Sequence, residues 1–165
     1  MAAAGWEKRR PPAPAGPGQR GPGPAAESDA EPASEPDAER ATQGASERFK
    51  LLLDSIDSPV YVADMESYEL LYVNAKTREQ FGEVQGQLCW KALQKGQDGP
   101  CPFCTNRLLL DPNGQPTGPQ IWEGRNTALG RWFHCIDRAI RWDDGRFVRM
   151  EVAIDVTERR RSEEA

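Results

Sequence analysis

The run GRWFHCIDRAIRWDDGRFVRMEVAIDVTERR, residues 130–160, contains two strand-length segments joined by Asp143-Asp144-Gly145. Over residues 146–156, Val148, Met150, Val152, Ile154 and Val156 alternate with Phe147, Arg149, Glu151, Ala153 and Asp155. This is the period of a strand with one buried face and one largely polar face. Gly145 supplies the left-handed conformation that a tight hairpin turn demands. The second segment leaves through Asp155-Val156-Thr157-Glu158-Arg159 toward the start of a helix, with residues 159–165 as its first turns.

Upstream, residues 120–127 read as a third strand. Before it the period is helical and broken by Gly82, Gly86, Gly96, Gly99 and Pro100. Residues 75–81 and 88–94 are predicted helices, and a third is predicted from Pro102 through Leu110, since proline suits a first helical turn. Residues 60–63 and 69–74 are predicted strands of a hairpin, with residues 64–68 as its turn. Phe49, Leu52, Leu53 and Ile56 lie at helical spacing behind Ser46, a suitable cap. The order predicts an α+β domain: a five-stranded antiparallel sheet with short helices on one face.

The first 45 residues differ in kind. Pro, Gly and Ala dominate them, acids such as Glu27, Asp29, Glu31 and Glu35 are scattered through them, and large apolar residues are nearly absent. Such a segment buries too little apolar surface to offset the entropy of ordering it, so residues 1–45 are expected to be a disordered tail. Lys8, Arg9 and Arg10 precede no apolar run, so neither a secretory signal nor a membrane span is expected, and the protein is expected to be cytoplasmic. The net charge of −5 argues against nucleic acid as a partner. The sequence shows no phosphate-cradling glycine loop and has a single histidine, so no catalytic constellation is expected beyond its cysteines.

From Ser46 to Glu158 the chain resembles the PAS sensory domains. The resemblance is carried by Asp143-Asp144-Gly145-Arg146 in the hairpin, by Asp155 to Arg159 at the exit, and by Asn74-Ala75 at the first central helix. Gly86-x-x-Cys89-Trp90-x-x-Leu93-Gln94 followed by Cys101-Pro102-Phe103-Cys104-Thr105-Asn106 is similar to bacterial PAS modules that precede histidine kinases or diguanylate cyclases. The resemblance implies a sheet that cups a small pocket and a signal passed through flanking helices. Such an effector is expected in a separate chain or lost from this one. Asp155, Thr157 and Glu158 are the candidate relay junction; as a purely structural device, Asp155 and Thr157 would cap the following helix.

All four cysteines, Cys89, Cys101, Cys104 and Cys135, fall in the ordered part. Cys101-x-x-Cys104 supplies two ligands for zinc or an iron–sulfur cluster, Cys89 a third, and the fourth would be His134 or Cys135, neighbours whose side chains point to opposite faces of one strand. A three-residue turn at Asp143–Gly145 puts His134, Ile136 and Ile140 with Val148 and Ile154; a two-residue turn puts Cys135 there. The first register groups more apolar residues, so His134 is expected to face the helices, giving Cys89, Cys101, Cys104 and His134 as the candidate metal or redox set. Thiol redox switching and plain packing remain alternatives. A helix beginning at Pro102 would lower the pKa of Cys101 below that of Cys104.

Gly86 to Gln94 is similar to the flavin-binding LOV photosensors, but Leu88 stands where those have asparagine and one extra residue separates Cys89 from Leu93-Gln94. His134 is predicted on a strand rather than a central helix. Flavin and haem are therefore disfavoured. The tryptophans Trp90, Trp122, Trp132 and Trp142 could line a ligand pocket, core packing being their ordinary use; Trp90 and Trp122, with Arg125 and Asn126, are the candidate ligand-pocket residues. The leading expectation is a sensory module without chemistry of its own that detects a small ligand or redox state. The alternatives are a thiol-disulfide oxidoreductase using Cys101 and Cys104, and a structural zinc module that binds a partner protein. The apolar stripe on the helix Phe49 to Ile56 suits a homodimer or simply covers the sheet.

Overall fold

The structure, a computed structural model, describes residues 35–165. Helix α1 spans Glu35–Asp54 and is followed by β1 (Val60–Asp64), β2 (Leu70–Val73), α2 (Ala75–Phe81), α3 (Cys89–Ala92) and α4 (Asn106–Leu109). Strands β3 (Gln120–Asn126), β4 (Arg131–Arg141) and β5 (Phe147–Asp155) follow, and α5 (Thr157–Glu164) ends the chain. The sheet order is β2-β1-β5-β4-β3, with every neighbouring pair antiparallel. The expected five-stranded α+β architecture is present.

Two boundaries differ from expectation. The tail expected over residues 1–45 lies outside the described residues as far as residue 34, and residues 35–45 are the first turns of α1. Ala38, Glu39, Arg40 and Ala41 are strong helix formers and Pro36 suits a first turn, so the helix runs past Ser46 instead of starting there. The third central helix also fails to start at Pro102. Residues 101–104 form a turn closed by Cys104 N–H donating to the Cys101 carbonyl at 3.0 Å, and α4 begins only at Asn106.

The β4–β5 hairpin has the three-residue turn. Arg141 pairs with Phe147, the Trp142 N–H donates to the Arg146 carbonyl at 2.8 Å, and Gly145 takes φ 85°. His134 therefore stands opposite Ile154, as that register requires. The face it occupies, however, is not the one under the central helices. Val60, Val62, Tyr72 and Val148 cluster with Leu53 of α1 on the outer side of the sheet. The inner side carries Tyr61, Ala63, Phe133, Cys135, Asp137, Arg149, Glu151 and Ala153, all buried. Strand β5 is third of five in the sheet and is covered on both faces, so its polar side is not a solvent side. Counting apolar residues thus chose the right register and the wrong face.

Asn74, 0% exposed, locks the start of the sheet to the helices. Its Oδ1 accepts from the N–H groups of Val60 (2.9 Å) and Thr77 (3.0 Å) and from the Thr77 hydroxyl (2.8 Å). Its Nδ2 donates to the carbonyls of Leu53 (3.0 Å) and Ser58 (2.9 Å). One amide thus caps α2, fixes β1 and ties down the end of α1. Beside it, burial pushes the Asp54 carboxyl up, but the Ala75 N–H and the Arg78 guanidinium outweigh that and hold it below its ordinary range. Among the described residues, no helix is long and apolar enough to cross a membrane.

Candidate functional site

The inner face of β1, β4 and β5 holds a connected polar cluster. Arg149, 5% exposed, donates from Nη1 to Asn106 Oδ1 (3.0 Å) and Cys104 Sγ (3.2 Å), and from Nη2 to the Tyr61 hydroxyl (3.4 Å) and Cys89 Sγ (3.6 Å). The Tyr61 hydroxyl donates a hydrogen bond to Glu151 Oε2 at 2.6 Å. Asp137, directly across from Glu151 on β4, receives the Thr105 hydroxyl and the Trp122 indole N–H on Oδ2, each at 2.7 Å. Its Oδ1 has no protein donor.

Burial pushes the Glu151 carboxyl up, and Asp137 beside it pushes further, to a pKa of about 8; Arg149 pulls only part of the way back. Glu151 is therefore protonated at neutral pH, and its proton is the donor that Asp137 Oδ1 otherwise lacks. Burial also raises Tyr61, which stays a phenol, while Arg149 stays a cation.

Next to this cluster a cavity of about 340 Å³ opens between the sheet and the central helices. Its walls include Tyr61, Phe81, Phe103, Trp122, Trp132 and Phe133, with Glu151 among the polar groups. Trp122 stacks against Phe103 at a centroid distance of 5.5 Å. The Trp122 ring lies across Gly124, where an added Cβ would come within 2.6 Å of it. Gly124→Ala is thus expected to displace the indole from Asp137, and a shifted Trp122 Nε1–H resonance together with altered tryptophan fluorescence would show it.

Of the residues proposed from sequence, Trp122, Arg125 and Asn126 line this cavity, whereas Trp90 lines a smaller neighbouring one. Asn126 is already engaged: Nδ2 donates to the Leu93 carbonyl (2.8 Å), and Oδ1 accepts from the N–H groups of Ala128 and Leu129. Arg125 is exposed. Cys89, Cys101 and Cys104 gather on the smaller cavity. His134 does not join them. It sits on the outer face with Nδ1 3.3 Å from Glu123 Oε1, so the mixed set of three cysteines and one histidine is separated by the sheet itself. Among the described residues, no group of three or more His, Cys, Asp or Glu is arranged to hold a metal ion. Zinc or an iron–sulfur cluster does not fit, because the Arg149 cation already donates to two of the three sulfurs. Cys101 lies outside α4, and burial pushes its thiol up to about 11 instead of down.

Residues 47–112 match the family model described as PAS domain. Over that segment the chain is similar to PAS domains. Among solved structures it is similar to the PAS domain of an HTR-like protein from Haloarcula marismortui, with 14% identity over 72% of this chain and 97% of that one and a TM-score of 0.49. It is similar also to the PAS domain of BvgS from Bordetella pertussis (24% identity, 76% and 96% covered, TM-score 0.46). A third similar structure is the PAS domain of nitrogen regulation protein NR(II) from Vibrio parahaemolyticus (12% identity, 64% and 95% covered, TM-score 0.48). No curated protein matches the chain at a significant level.

The exit from β5 is held to the sheet at two points. Asp155 Oδ1 accepts from the N–H (2.9 Å) and hydroxyl (2.6 Å) of Thr157, while the Thr157 hydroxyl accepts from the Trp132 N–H (3.0 Å) and the Val156 N–H donates to the Trp132 carbonyl (2.8 Å). Beyond the junction, Glu123 of β3 binds Arg159 (2.5 Å) and Arg160 (2.9 Å), and the Arg160 guanidinium lies 4.1 Å above the Trp132 ring. Hydrogen bonding from Arg160 leads the effects that keep the Glu123 carboxyl below its ordinary range. Glu158, by contrast, pairs with Arg161 in solvent. Glu123 and Arg160 were not among the sequence candidates, whereas Trp132 was one of the tryptophans proposed for the pocket. Nothing local marks the first two, since their partners lie about 30 residues away in the chain.

Proposed function

We propose that this PAS domain is a sensory module that takes a small ligand into the 340 Å³ cavity and passes its occupancy to α5. One observation carries the reading: Trp132 lines the cavity, its backbone holds Val156 and Thr157, and its ring supports Arg160. A ligand that displaces β4 at Trp132 moves the start of the exit helix. The cavity lies at the small end of the ligand-pocket range, about 300–1,000 Å³. Its aromatic walls suit a flat molecule of one or two rings, and a protonated Glu151 favours a neutral one.

Titrating the full chain with benzimidazole and other one- and two-ring heteroaromatics, followed by NMR, tests this. The expected result is saturable shifts at the Trp122 and Trp132 indoles accompanied by shifts in the amides of α5. Trp132→Ala is expected to keep the Trp122 response and lose the α5 response. Saturation with α5 unmoved in the unaltered chain would defeat the relay, and no saturable shift with any probe would defeat the cavity.

A second reading, redox sensing, is favoured by the three thiols gathered around Arg149. For output, the family resemblance supports an effector of the histidine kinase or diguanylate cyclase type engaged through α5. A homodimer through α1 is supported by Phe49, Leu51 and Leu52, which are 51%, 70% and 67% exposed. Sedimentation of the full chain is expected to show a concentration-dependent dimer that Leu51→Glu abolishes; a monomer at every concentration would refute the pairing.

A further inference from the structure

Behind the Phe103–Trp122 pair, between the sheet and the Cys101–Cys104 turn, lies the second cavity, of about 40 Å³. That is room for one or two water-sized groups. On its wall Arg149 Nε is buried without a hydrogen-bond partner among the described residues, and Asp137 Oδ1 has only the Glu151 proton. The cavity therefore offers a donor and, whenever Glu151 gives up its proton, an acceptor to a guest of that size.

Three thiols share the same wall, and Arg149 directs N–H groups at two of them. A guanidinium repels a metal cation but stabilises negative charge gathering on sulfur. Cys89 is buried, whereas Cys101 and Cys104 are partly exposed, so an agent from solvent reaches the latter two. Of these, only Cys104 accepts a hydrogen bond from Arg149, at 3.2 Å. The turn bond between Cys104 N–H and the Cys101 carbonyl holds the two Cα atoms within about 7 Å, close to the span that a disulfide bridges.

We propose that this small cavity is a hydroperoxide-reactive thiol site in which Cys104 attacks and Cys101 resolves the product to a disulfide. Cys104 Sγ forms a bond to one peroxide oxygen as the O–O bond breaks. The departing oxygen leaves as water, or as an alcohol from an organic hydroperoxide, and takes up the thiol proton. The Cys101 thiol then attacks the sulfenic sulfur of Cys104, an S–S bond forms, and the hydroxyl leaves with the Cys101 proton as water. Two thiols are oxidised and one hydroperoxide is reduced; a cellular dithiol reverses the switch by thiol–disulfide exchange. Burial that keeps Cys101 a thiol fits the resolving role.

Phe103 sits between the two cysteines and lines both cavities, so closing the disulfide resets a wall of the larger one. That consequence rests on the ligand-sensing reading; the oxidation does not. Reduced full-length protein treated with hydrogen peroxide at low excess is followed by intact mass and by mapping of the cysteine peptides. The expected product has lost two hydrogens and links Cys101 to Cys104. Cys101→Ser is expected to trap a sulfenic acid on Cys104 that dimedone captures, and Cys104→Ser to abolish both products. Arg149→Lys is expected to slow the reaction on the order of tenfold or more, because a donor aimed at the developing charge is displaced. Reaction no faster than that of free cysteine, or linkage through Cys89 or Cys135, overturns the proposal. Both serine variants leave the buried Arg149–Tyr61–Glu151 chain in place, so the result does not depend on the fate of the lysine variant. Failure of benzimidazole to bind leaves this experiment unaffected.

Discussion

Asn74→Ala is expected to destabilise the domain by about 3–5 kcal/mol, the range reached when a buried hydrogen-bond network loses its centre. The truncated side chain abandons the N–H groups of Val60 and Thr77, the Thr77 hydroxyl, and the carbonyls of Leu53 and Ser58. With the residue fully buried, water does not replace the amide without opening the junction of α1, β1 and α2. Asn74→Asp separates the contributions. It keeps an acceptor for Val60 and Thr77 but sets a carboxylate against the carbonyls of Leu53 and Ser58, and is expected to cost nearly as much as alanine. Urea unfolding of the variants measures both, and a loss under about 1 kcal/mol for alanine would show that the junction does not depend on this amide.

The second large effect concerns pH. Glu151 has an ordinary pKa of 4.5 and a folded value of about 8, so between those values the folded chain holds a proton that the unfolded chain has released. The contribution of this group to stability is complete below about pH 4.5 and declines as pH rises to about 8, by at most about 1.4 kcal/mol per pH unit. Glu151→Gln removes that decline. Its amide oxygen still accepts from Tyr61, and its NH₂ supplies a permanent donor to Asp137 Oδ1. The difference in melting temperature between Glu151→Gln and the unaltered chain is expected to be small near pH 5 and to grow in favour of the glutamine through pH 8. Subtracting the two profiles cancels the groups that do not sense Glu151. Parallel profiles would show that Glu151 is ionised in the folded domain.

The strands, their order along the chain and the turn at Asp143–Gly145 were legible because side-chain alternation and glycine chemistry are local signals. Which face of β5 meets the central helices was not. The polar residues Arg149 and Glu151 alternate with valine and methionine as they would on a solvated sheet, and only the helices folded over them make that side an interior. The cysteines show the same limit. Cys89, Cys101 and Cys104 do meet, yet their common neighbour is an arginine 45 residues beyond Cys104, which no spacing rule would select. The extension of α1 to Glu35 was hidden for another reason: a proline- and alanine-rich composition suggested a tail, while Ala38 to Ala41 carry helix propensity of their own.

The outer cluster of Val60, Val62, Val148 and Leu53 lies across the sheet from both cavities. Along β5 the residues that pack under α1 and those that face the cavities therefore take turns, even positions on one side and odd positions on the other. Such an arrangement makes the domain a good substrate for divergence or redesign. If the cavity takes a ligand as proposed, substitutions at Cys135 and Ala153 would reshape its wall while the valines behind them keep the strands aligned.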